Sequence, residues 1–166
     1  MRCVNTRLKL SLHGYEDLYA WSVAQPEQFW TELARFADVR AEWGEGPAIE
    51  HPERMPGARF FPNARLNFAE NLLRYRDEHP AVIFTNERGA RRTLSYRQLH
   101  EEVARVAAGL EEAGVGVGDR VAGYLPNLPE TLIAMLATSS LGGTWSSCSP
   151  DFGVNGVLDR FGQIEP

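Results

Sequence analysis

Hydroxyls and a thiol crowd one short stretch of this chain: Ser146, Ser147, Cys148 and Ser149, followed by Pro150 and Asp151. They stand where a strand-like run gives way to a helical pattern. Open α/β sheets hold their ligands at the carboxyl ends of parallel strands, so the position suits a binding or catalytic turn. A serine or cysteine nucleophile also needs a base within hydrogen-bond reach. The sequence identifies no His or Asp placed for that work, so a hydrolase does not follow. The same stretch reads equally as a tight strand-to-helix turn lined with small residues.

Other motifs offer less. Gly114-Val115-Gly116-Val117-Gly118 has the letters of a dinucleotide fingerprint. A phosphate-binding glycine loop follows a strand and opens a helix, so that helix N–H groups face the phosphate. This one follows a helical pattern and leads into a strand, so it reads as a turn. Asp151-Phe152-Gly153 spells a kinase metal motif without the glycine-rich loop, catalytic Asp loop or paired lysine that would give it meaning. His13, His51, His79 and His100 are scattered without ligand spacing, and no metal site is expected. Arg91 and Arg92 read as a solvated charge pair.

Cation usage narrows the chemistry further. Of 17 basic residues 16 are Arg, and Lys9 is the only Lys. A nucleotide triphosphate needs a glycine-rich loop of N–H donors with hydroxyls and a lysine. No such loop is present, so no catalytic residue is assigned. The net charge of -5 makes a poor polyanion binder, and a nucleic-acid partner is not expected. Two cysteines, Cys3 and Cys148, are too few for a secreted disulfide scaffold. No apolar run is long enough for a signal peptide or a membrane span, so the expected setting is cytoplasmic, with no membrane partner.

The elements that must position these residues follow from pattern. Composition is that of an ordinary globular chain, 43% hydrophobic and 23% charged, and 166 residues suffice for a core. Residues 1–14 show no pattern and are expected to be poorly ordered. Phe29, Trp30, Leu33, Phe36 and Ala37 keep helical spacing after Pro26, which predicts a helix over 26–37 with one buried stripe. Residues 43–65 are dense in Gly and Pro and read as an irregular passage. Asn67 and Glu70 form a capping signature for a helix over 66–77. Residues 81–85 predict a strand, 86–89 a turn and 92–94 its hairpin partner.

Ser95 and Gln98 form a second capping box, with Leu94 and Leu99 as the hydrophobic staple. Leu99, Val103, Val106, Ala107, Leu110 and Ala113 then repeat to a stop at Gly114. From residue 119 the pattern alternates: a strand over 119–127, a helix from Pro129, a strand over 144–149 and a helix over 153–164. β-α-β-α alternation means a parallel sheet with right-handed crossovers, hence an α/β fold.

Several segments together resemble a known family: WSVAQPEQFW (21–30), FFPNARLNFAENLL (60–73), GVGVGDRVAGYLPNLPETLIAMLA (114–137) and GGTWSSCSPDFGVNGVLDRFGQIEP (142–166). They are similar to the start of acetyl-CoA synthetase-type enzymes of the adenylate-forming superfamily. Trp145 through Gly153, with Leu158-Asp159-Arg160-Phe161, resembles the acetoacetyl-CoA synthetase branch. The resemblance implies a helical and irregular N-terminal cap over 15–78, and over 79–166 the start of an AMP-binding domain with an incomplete parallel sheet. It implies a ligase that joins an acid to CoA through an acyl-adenylate, using ATP, magnesium and CoA in the full-length enzyme, with acetoacetate as the acid and lipid metabolism as the setting.

The family's nucleotide motifs match nothing in this chain, so no cofactor is expected on these residues alone. Small-molecule substrates would belong to the longer enzyme. Ser149, Pro150 and Asp151 align with a glycine-rich turn near the family's CoA channel, although the glycines are absent and an Asp would repel a phosphate. The helix over 153–164 should feed a further strand that the chain does not contain. The sheet edge and an apolar face are then open and could support self-association. An N-terminal part inert alone, a non-catalytic interaction module paired with a full-length synthetase, and a small independent α/β enzyme using residues 146–151 are the three expectations.

Overall fold

Local signals set most of the elements, and a computed structural model describes all of residues 1–166. The chain divides into two units, Met1–Leu66 and Asn67–Pro166.

The first unit holds three helices: α1 (Arg2–Leu8), α2 (Tyr15–Ala24) and α3 (Pro26–Phe36). Pro26 starts α3, where its missing N–H leaves no bond unmade. The predicted apolar stripe on this helix is not the buried face. Phe36 is 73% exposed, and Trp30 and Leu33 are also open, while Glu32 is buried. The reason is charge pairing. Glu32 accepts a hydrogen bond from Arg35 Nη1 at 2.8 Å, and Arg7 of α1 approaches its other oxygen at 3.7 Å. Two guanidinium groups thus compensate a carboxylate that could not be buried unpaired.

Aromatic rings continue the packing edge to face, from Trp21 to Phe29 to Trp30 to Phe60, at centroid separations of 5.3–5.9 Å. The Gly- and Pro-rich passage is irregular as expected. It carries one two-residue antiparallel pair, β1 (Ile49–Glu50) with β2 (Arg59–Phe60), and a bridge between Glu42 and Arg65.

The second unit carries the α/β pattern. Asn67 accepts the Glu70 amide at 3.1 Å and so caps α4 (Phe68–Leu72). This helix is shorter than the predicted 66–77. It ends at Leu73, which turns into the core with Ala69. The Asn67 amide nitrogen also donates to the carbonyls of Ser139 and Ser140, at 3.1 Å each. β3 (Pro80–Thr85) and β4 (Arg91–Ser95) form the expected antiparallel hairpin. Both halves of the Ser95–Gln98 capping box are present at the start of α5 (Tyr96–Glu112), and Gly114 takes φ +91° just beyond its end.

β5 (Arg120–Tyr124) and β6 (Thr144–Cys148) pair in parallel, with Val121 opposite Trp145, and α6 (Pro129–Ser140) connects them. A 3-10 turn at Pro150–Phe152 leads into α7 (Gly153–Ile164). Ala69, Leu73, Leu94, Leu99, Val103, Ile133, Leu136 and Ala137 make the core. Gly123 leaves room for Trp145: a Cβ there would lie 2.5 Å from the indole ring. α7 has no buried residue, and Val154 and Leu158 lie open on it. No helix is long and apolar enough to cross a membrane.

Candidate functional site

The parallel pair β5–β6 ends at Tyr124 and Cys148, which stand opposite one another. The stretch singled out by its hydroxyls therefore lies at a strand carboxyl end, and the chain turns there into α7. Cys148 is buried with 3% exposure, Ser146 is half-buried and Ser147 is exposed. Leu125 donates its amide to the Cys148 carbonyl at 3.2 Å and so extends the pairing by one step.

Ser149, Pro150 and Asp151 form a self-contained turn. The Ser149 hydroxyl donates to Asp151 Oδ2 at 2.9 Å and accepts from the Asp151 amide at 3.4 Å. The Phe152 amide donates to the Ser149 carbonyl at 3.2 Å. Tyr124 donates its hydroxyl to the Pro150 carbonyl at 2.9 Å and so ties the turn to the neighbouring strand. Beyond it, the Arg160 guanidinium lies 3.8 Å over the Phe152 ring, and Arg160 Nη1 donates to the Gly156 carbonyl.

This arrangement can be tested against the group that such strand ends often hold. A phosphate cradle needs amides and cations aimed at an empty space. Here the amides of Asp151 and Phe152 are spent on Ser149, and an acidic side chain stands where a cation would help. The Ser149–Asp151 turn therefore offers neither of these amides to a phosphate. Nor does the Ser149–Asp151 contact make a nucleophile. A serine nucleophile needs an adjacent general base such as an imidazole, and none stands between Ser149 and Asp151.

The remaining residues singled out by sequence resolve into structural roles. Gly114 to Gly118 is the turn between α5 and β5, held where Asp119 Oδ2 accepts the Gly116 amide at 2.7 Å. Arg92 is not simply solvated but pairs with Glu130 at the start of α6. Glu130's own backbone hydrogen bond, and then the hydrogen bond from Arg92, hold its carboxyl below the usual glutamate range. His79 pairs with Asp77 at 3.1 Å, and His51 lies 3.8 Å from Glu53. No group of three or more His, Cys, Asp or Glu residues is arranged to hold a metal ion. Sequence reasoning missed Tyr124 and Arg160, the two side chains that brace the turn. Their roles depend on contacts 26 residues apart for Tyr124, and on ring geometry for Arg160.

Comparison with known proteins adds an independent line. Residues 68–165 match the family model described as AMP-binding enzyme, and residues 15–72 match that of the acetyl-coenzyme A synthetase N-terminus. An acetoacetyl-coenzyme A synthetase of Rhizobium meliloti (strain 1021) is 49% identical over 160 residues, covering 96% of this chain and 24% of the relative. One from Rattus norvegicus is 40% identical, covering 98% of this chain and 25% of the relative. The solved acetoacetyl-CoA synthetase from Streptomyces lividans superposes with a TM-score of 0.89 at 40% identity, over 99% of this chain and 26% of its own. The chain thus spans about a quarter of the length of the relatives it matches.

Proposed function

Because this chain belongs to the AMP-binding enzyme family, we propose that it supplies the opening quarter of an acid–CoA ligase. The observation that carries the reading is the order of two matches, a synthetase N-terminal model over 15–72 followed by the AMP-binding model over 68–165. In the whole protein a carboxylate oxygen attacks the α-phosphorus of ATP and pyrophosphate leaves. The thiol of CoA then attacks the acyl carbon of the adenylate, and AMP leaves. Acetoacetate is the acid favoured by the relatives' names. ATP, magnesium and CoA are bound by the whole protein, in the cytoplasm, without nucleic-acid or membrane partners.

The 166 residues alone are inert in this reading, because they carry no glycine-rich loop ending in lysine and their single lysine, Lys9, lies far from the strand-end turn in sequence. The Ser149–Pro150–Asp151 turn borders the CoA channel. Its carboxylate and spent amides suit the uncharged arm of CoA rather than its phosphates. Isotope exchange between pyrophosphate and ATP tests both statements. The complete protein is expected to exchange with acetoacetate in preference to acetate, and the 166-residue chain is expected to show none. Exchange by the short chain would overturn its inertness. Equal rates with both acids would overturn the substrate.

A second reading, self-association of the isolated chain, rests on α7, where Val154 and Leu158 are 75% and 65% exposed, and on the unpaired edge of β6. Sedimentation over a concentration series decides it. A dimer or larger species is expected, and a monomer at every concentration would refute the idea.

A further inference from the structure

The first unit contains a cavity of about 370 Å³. Its size falls within the range of small-molecule sites. α3 contributes Thr31, Ala34 and Arg35, the segment 43–48 forms one side, and Phe61 and Asn63 complete the lining. Trp43 and Phe61 meet edge to face at 5.1 Å and present aromatic surface.

Several bonds hold the cavity open. Glu42 and Arg65 exchange backbone bonds of 2.8 Å each way at the base of the loop, and the Phe61 amide donates to the Ala48 carbonyl at 2.8 Å. Asn63 Nδ2 reaches across to the Glu45 carbonyl at 2.7 Å. Phe61 holds φ at +43°, a conformation that carries strain in a non-glycine residue and persists only where the surroundings impose it. The wall is therefore built in place before any ligand arrives.

Charge decides the ligand class. Arg35 lines the cavity and commits Nη1 to the buried Glu32, a carboxylate that Arg7 also approaches. A guanidinium carries five N–H donors, so the bond to Glu32 leaves Arg35 others for a second anion. Glu45 is the acidic residue of the lining, and it is exposed. A guanidinium beside aromatic walls suits a flat ring bearing one carboxylate. We propose that the Trp43–Phe61 cavity is a binding site for small aromatic carboxylates, with Arg35 taking the carboxylate and the two rings taking the ring. The lining residues lie within the 15–72 synthetase N-terminal match and outside the 68–165 AMP-binding match.

The test follows the four indole N–H signals of the 166-residue chain by NMR, with Trp43 assigned from a Trp43→Phe variant. Benzoate is the probe, and benzyl alcohol and cyclohexanecarboxylate are the controls. Benzoate is expected to shift the Trp43 signal saturably. Benzyl alcohol should bind at least about tenfold more weakly, for want of the charge-assisted bond. Cyclohexanecarboxylate should also be weaker, for want of a flat ring.

Ala34→Phe fills the cavity while leaving the Glu32–Arg35 pair in place, and is expected to abolish the shift. Glu45→Gln removes a like charge and is expected to tighten benzoate by about two- to threefold, with the gain shrinking in high salt. No saturable shift, equal binding of benzoate and benzyl alcohol, or unchanged binding in Ala34→Phe would each overturn the proposal.

Discussion

Single side chains decide much of this structure, and two of them make clear predictions. Gly123 sits on β5 against the Trp145 ring, where an added Cβ would come within 2.5 Å of the indole. Gly123→Ala must push the ring or bend the strand, and overpacking of this kind costs about 1–3 kcal/mol. Chemical denaturation should show a lower midpoint with an unchanged slope. Glu130 makes a pH prediction. Its folded pKa lies below the ordinary value of 4.5, held down first by its own backbone hydrogen bond and then by Arg92. Its contribution to stability is therefore present above pH 4.5 and disappears as pH falls through the lowered value. The melting-temperature gap between wild type and Glu130→Gln should be widest near neutrality and close on acidification. A gap that persists in acid would show that the carboxylate's charge is not its source.

Among the elements, α7 makes the most direct prediction. It buries no residue, yet Val154 and Leu158 give it an open apolar face. Replacing both with Gln should leave chemical stability within about 0.5 kcal/mol while raising solubility, as scattering against concentration would record. A large loss of stability would mean that the helix face packs more than its exposure shows.

The same scale shows what the sequence made legible. The Ser95–Gln98 box, the Asn67 cap and the turn at Gly114 were readable because each signal lies within four residues of the bond it makes. The β-α-β-α order and the strand-end position of Ser149–Asp151 were readable from alternation alone. The inward face of α3 was not, because burying Glu32 depends on Arg7, 25 positions away. The early end of α4 depends on Leu73 entering a core built from later elements. The cavity at Trp43 and Phe61 was invisible for the same reason. Its walls come from separated stretches of an irregular passage, and no periodicity links them.

For the molecule as a whole, the division at Leu66 and Asn67 meets a feature of composition. Each unit carries one free thiol: Cys3, exposed on α1, and Cys148, buried at the end of β6. A maleimide added to the native protein should modify Cys3 within the mixing time. Cys148 should be modified only at the rate at which the β5–β6 pair opens. Mass spectrometry of timed quenches would then read a local opening constant in one unit, with the other unit's cysteine as the internal clock. Two tags appearing together would mean that the strand end breathes far faster than its 3% exposure allows.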